Sequence, residues 1–93
     1  MDLRTAQYVH EQLGPNSLEA TKQVTAGMSA LHNLFGTRDE HTIFSALKSA
    51  FNINHSDEGE FKHLRIASEK LTAPLEEDQQ RKILLDLYKS LRA

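Results

Sequence analysis

The stretch NSLEATKQVTAGMSALHNLFGTRDE (Asn16 to Glu40) decides the fold. Within it Ala20, Val24, Met28, Leu31 and Phe35 recur at i, i+4, i+8, i+11 and i+15. That spacing places them on one stripe of a 3.6-residue helix, not on the alternating face of a strand. The punctuation agrees. Asn16 or Ser17 can accept the first free amides, and Glu19 follows Asn16 in a variant of the capping box. Gly36 is the residue type that most easily takes the left-handed conformation ending a helix. Thr37 and Glu40 then form an S/T-x-x-E box for the next helix, and Asp39 adds charge where the macrodipole favours it.

The same grammar extends in both directions. Upstream, a first helix is expected from Asp2 to Leu13, capped by Asp2, with Leu3, Ala6, Val9, His10 and Leu13 on one face. Gly14 and Pro15 end it. Downstream, the third helix turns Ile43, Phe44, Leu47, Ala50 and Phe51 inward and closes at Asn52, with Ile53 folding back onto its end. A fourth helix is expected from Ser56 to Leu71, capped by Asn54 or Ser56, with Phe61, Leu64, Ala67 and Leu71 inward. Pro74 separates it from a fifth, Leu75 to Leu91, whose core face is Ile83, Leu84, Leu87, Tyr88 and Leu91. Glu76, Glu77 and Asp78 open that helix and Lys89 and Arg92 close it, the charge order its dipole favours. The fold class is therefore all-α: a compact bundle of four main antiparallel or orthogonal helices plus a short N-terminal helix, in a single helical domain over residues 1–93.

Composition narrows the function. A chain of 93 residues, 39% hydrophobic and 26% charged, matches an ordinary globular domain and not a disordered one. The net charge is −2, and Lys22, Lys48, Lys62, Arg65, Lys70, Arg81 and Lys82 are scattered, so nucleic acid is a disfavoured partner. With no cysteine, disulfides, thiolate metal sites and cysteine nucleophiles are excluded. No apolar run approaches the roughly 20 residues that span a bilayer. The first residues lack the basic and apolar regions of a secretory signal. A cytoplasmic location without a membrane partner is expected.

The most polar passage, NINHSDEGEFKH (Asn52 to His63), invites a metal reading. As a calcium loop beginning at Asn52 it puts Asp57 where glycine is required and His63 where glutamate is required. As a di-iron element it offers one Glu-x-x-His pair, Glu60 and His63, where two are needed, and both lie at the edge of the face set by Phe61 and Leu64. His55 and His63 could share a surface zinc ion only by fortunate geometry. Read as punctuation, nearly every residue has a purpose: helix end, cap, and acids in a positive first turn. Gly59 alone is unaccounted for, and a close helix crossing is the expected reason.

The segment HNLFG (His32 to Gly36) resembles the His-x-Leu-Lys-Gly phosphorylation segment of histidine phosphotransfer domains at His32, Leu34 and Gly36. The resemblance spans five residues, with Phe35 where that family has lysine, and His32 is read as a half-buried structural histidine beside the Leu31/Phe35 stripe. A helix-turn-helix around the third and fourth helices would open its recognition helix with Asp57, Glu58 and Glu60, which repel phosphates. No nucleophile elbow, phosphate-binding loop or zinc-protease motif occurs.

What remains is a non-enzymatic protein–protein interaction module of regulator, inhibitor, immunity or adaptor type, without cofactor or metal. The alternatives are a helix-turn-helix-like DNA-binding regulator and a metal-binding bundle. The candidate partner-binding residues are Tyr8, opposite the apolar face of the first helix, Ile66, at the back of the fourth, and Leu85, about 100° off the stripe of the fifth and equally a core residue if that helix is central in the bundle. The acidic group Asp57, Glu58 and Glu60 joins them. The expected partner is another protein, with a homodimer through the fifth helix as a further expectation.

Overall fold

The computed structural model describes residues 2–53 and 57–92. It contains α1 (Leu3–Leu13), α2 (Leu18–His32), α3 (Glu40–Ala50), α4 (Glu58–Lys70) and α5 (Glu77–Arg92). No strand occurs among the described residues. Helices α2, α3, α4 and α5 pack each against the next, and α2 closes the ring against α5. Helix α1 lies against α2 and α5 only. The expected bundle of four main helices with a short helix before them is the fold observed.

The core is one apolar cluster that includes Val9, Val24, Ile43, Leu47, Leu64, Leu84, Leu85 and Leu87. At its centre α2 passes close to α5. A methyl group added at Gly27 would stand 3.0 Å from Cδ1 of Leu84 and 3.2 Å from Cε1 of Phe51. Glycine gives this crossing its close approach in mid-helix, despite its poor propensity. This is the close crossing that the sequence suggested at Gly59. The amide of Gly59 instead donates to Oδ1 of Asp57 at 2.9 Å, and a methyl at Gly59 would lie 3.2 Å from that same oxygen. Gly59 serves the cap and no crossing.

Several helix ends match their local chemistry. Asp2 accepts from the amides of Arg4 and Thr5, and Gly14 takes φ of +83°. At the end of α3, Asn52 takes φ of +56°, its amide donates to Ser49 O, and the Ile53 amide donates to Lys48 O at 2.9 Å. This is a Schellman motif, and Ile53 is buried as expected.

Others differ. The cap of α3 is Asp39, which accepts from both the amide and the hydroxyl of Thr42, so the Thr37/Glu40 box does not form the start of the helix. The cap of α4 is Asp57; the expected caps Asn54 and Ser56 lie outside the described residues. Ser17, not Asn16, precedes α2, and its side chain makes no capping bond. The inward face of α1 is Thr5 and Val9 with Tyr8 packed beside them, while Leu3 and His10 are exposed.

Candidate protein-interaction surfaces

The apolar stripe of α2 stops one residue group early. The helix ends at His32, and the chain tightens through i→i+3 bonds from the Leu34 amide to Leu31 O and from the Phe35 amide to His32 O. Phe35 then adopts φ of +52° and Gly36 φ of +84°. The left-handed step throws the Phe35 ring out of the stripe, and the residue is 91% exposed. A bulky side chain at positive φ is a strained exception. The expectation that Phe35 completes the core face is corrected, and so is the expected half-burial of His32, which is exposed.

Phe35 stands at the lip of a cleft of about 330 Å³. Met28 and Leu31 of α2, Ile43 of α3 and Leu71 line its apolar part; His32, Arg38, Glu77 and Gln80 form its polar rim. Arg38 is anchored there by a 2.8 Å bond from Nη1 to the Ala73 carbonyl, which ties the turn after α2 to the turn before α5.

The same end of the bundle holds a polar network that the sequence did not announce. Arg81 is 4% exposed. Its Nε donates to Thr5 Oγ1 at 3.0 Å, Nη1 to Asp78 at 2.7 Å and Nη2 to Glu77 at 3.3 Å. Asp2 lies 3.6 Å from Nη2. The Thr5 hydroxyl in turn donates to Asp2 at 2.7 Å. Arg4 caps the outside by pairing with Asp78. In the sequence Arg81 is one of several scattered bases inside the polar run Glu76 to Lys82, which gives no sign of burial; its burial follows from where α1 seats on α5. The network holds two carboxyls below their ordinary range: Asp2 chiefly through the Thr5 hydroxyl, then through the amides of Thr5 and Arg4 and the charge of Arg81; Asp78 chiefly through Arg4, then Arg81.

The candidate partner-binding residues separate. Leu85 is 2% exposed and belongs to the core, because α5 is buried on two sides by α2 and α4 and touches α1 on a third. Of the two readings open for Leu85, partner contact or core if the fifth helix is central, its burial selects the core. Tyr8 is half-buried against the core, and burial pushes its hydroxyl pKa up, helped by Asp86 and Asp78 and opposed by Lys82. It faces α5 and does not stand opposite the packed face. Ile66 is 44% exposed on the rim of a furrow with Lys70, Ile83, Asp86 and Leu87. Asp57 and Glu58 are exposed, Glu60 is half-buried, and Asp57 is occupied with capping. These residues do not converge on one patch: the acids stand at the start of α4, and Ile66 lies in the furrow.

Among the described residues no three His, Asp or Glu side chains converge to hold a metal ion. His55 lies outside them. No helix among the described residues is long and apolar enough to cross a membrane. No protein-family model, curated protein or solved structure matches the chain.

Proposed function

We propose that this protein works by binding another protein, as a non-enzymatic regulator, inhibitor, immunity or adaptor-type module, and that Phe35 anchors the contact. The observation that carries this reading is the 91% exposure of an aromatic residue held at φ of +52°. The fold gains nothing from it. A left-handed bulky residue costs on the order of 1 kcal/mol, and an exposed ring contributes no burial. Binding anchors are typically aromatic and seated beside a pocket, and Phe35 stands at the lip of a cleft lined by both apolar and polar side chains. Leu3, 78% exposed at the start of α1, adds apolar surface at the same end of the bundle, where Arg4 meets the first turn of α5.

The test compares immobilised wild type with Phe35→Asn in capture from host lysate. Support is a stoichiometric protein partner retained by the wild type and lost by a variant of unchanged helicity. The reading fails if the captured set is identical for both. A salt-sensitive mobility shift on duplex DNA, or a melting temperature lowered by chelators, would favour the nucleic-acid or metal alternatives instead.

A further inference from the structure

We propose that the cleft beside Phe35 is occupied by the Phe35 ring of a second copy of this chain, forming a two-fold dimer; this rests on the reading of Phe35 as a binding anchor. A two-fold interface must be self-complementary, with knob and hole on the same patch. Phe35 is the knob, and the cleft it borders, lined by Met28, Leu31, Ile43 and Leu71, is the hole. The charges on the rim satisfy the same requirement. Arg38 comes from the turn after α2 and Glu77 from the first turn of α5, and both line this one cleft. Arg38 spends one N–H on the Ala73 carbonyl, and a guanidinium carries five. Glu77 is 73% exposed and meets Arg81 through one carboxylate oxygen. In the proposed dimer each Arg38 faces the Glu77 of the other copy. A partner with a single net charge would meet one of these groups favourably and the other unfavourably.

The area sets the strength. Two buried phenyl rings remove roughly 300–500 Å² from water, well short of the about 1,200–2,000 Å² of a stable interface. The rim supplies some of the difference, so the dimer is weak and concentration-dependent.

Sedimentation equilibrium from about 10 μM to 1 mM covers the affinity range expected of so small an interface. The wild type should shift from monomer to dimer, and Phe35→Asn should stay monomeric with unchanged circular dichroism. Arg38→Glu and Glu77→Arg should each weaken the dimer at least tenfold, and the doubly substituted chain should recover it. A wild type monomeric throughout, a dimer that survives Phe35→Asn, or a double variant that stays monomeric overturns the proposal. A monomeric wild type that still captures a partner lost by Phe35→Asn overturns this inference alone and leaves the recognition reading standing. A chain that does neither overturns both.

Discussion

The Nε of Arg81 donates a 3.0 Å hydrogen bond to the hydroxyl of Thr5, and that bond joins the first helix to the last. The hydroxyl can serve both neighbours because it carries one donor and two acceptor sites: it accepts from Arg81 and donates to Asp2. Removing the guanidinium leaves Thr5 without its donor and a void where the stem had packed. The carboxylates of Asp2, Glu77 and Asp78 are partly exposed and rehydrate, which limits the loss. Arg81→Met is therefore expected to cost about 2 kcal/mol, below the 3–5 of a fully buried pair. A double-mutant cycle with Thr5→Val, read by urea unfolding, should return a coupling of about 1 kcal/mol. Additive single effects would show that the two side chains are neighbours without being partners.

Acid should loosen the molecule in a defined window. Asp2, Asp39 and Asp78 all have pKa values lowered in the fold, Asp39 chiefly by the Thr42 amide and then its hydroxyl. A carboxyl with a depressed folded pKa contributes stability above its unfolded value, about 3.9, and loses it as pH falls through the folded value. The melting temperature should hold between about pH 7 and 5 and fall below about pH 4. Asp39→Asn keeps a competent cap but cannot titrate, so its curve should fall less steeply. An equal slope for both proteins would remove Asp39 from this account.

Gly27 tests the crossing of α2 and α5. Alanine gains roughly 1 kcal/mol of helix propensity over glycine. It must also push aside two Leu84 methyls and a Phe51 ring carbon lying 3.0–3.2 Å from the new methyl, all on buried side chains. Overpacking of this kind costs about 1–3 kcal/mol. Gly27→Ala is expected to lower stability by about 1 kcal/mol, a drop of roughly 4–8 °C in melting temperature. A higher melting temperature would mean that the crossing has room to spare.

Phe35 should show the reverse sign. Asparagine tolerates the left-handed conformation better, and the exposed ring surrenders no core contact. Phe35→Asn is expected to stabilise the isolated monomer by about 0.5–1 kcal/mol by relieving strain, while removing whatever binding the ring provides. A destabilised variant would show that the ring packs at home.

Ile66 and Leu85 are the matched pair for surface and core. Ile66→Asp is expected to change stability by less than about 1 kcal/mol. Leu85→Asp buries a charge in the central cluster and should unfold a chain whose total stability is on the order of 5–10 kcal/mol. Circular dichroism at neutral pH distinguishes them at once.

Sequence was legible where the physics is local. Asp2, Gly14, Asn52 and Ile53 act within a few residues of their own positions, and all four behave as their types require. It was less legible where two local solutions compete. Thr37-x-x-Glu40 and Asp39-x-x-Thr42 are both capping patterns, and only the second is used, because its aspartate reaches both the amide and the hydroxyl of Thr42. The periodicity of α2 likewise ran three residues past the real end, since a hydrophobic repeat does not record where the backbone turns. The choices made by distant packing were not legible at all. The burial of Arg81 and the close approach at Gly27 depend on which helices α5 touches, and the same contacts decide between the surface and core readings that the sequence leaves open for Leu85. The exposed ring of Phe35 was hidden for the opposite reason, having the right residue type and spacing for a core position.

The bond between Thr5 and Arg81 spans 76 positions of the chain. A ribosome adding about 5–20 residues per second needs roughly 4–15 s to cover that distance. Through that interval the Thr5 hydroxyl has Asp2 but no guanidinium to accept from, and the few buried side chains of the first helix have only α2 to rest on. Seating of the first helix waits until α5 has cleared the exit tunnel and supplies the guanidinium.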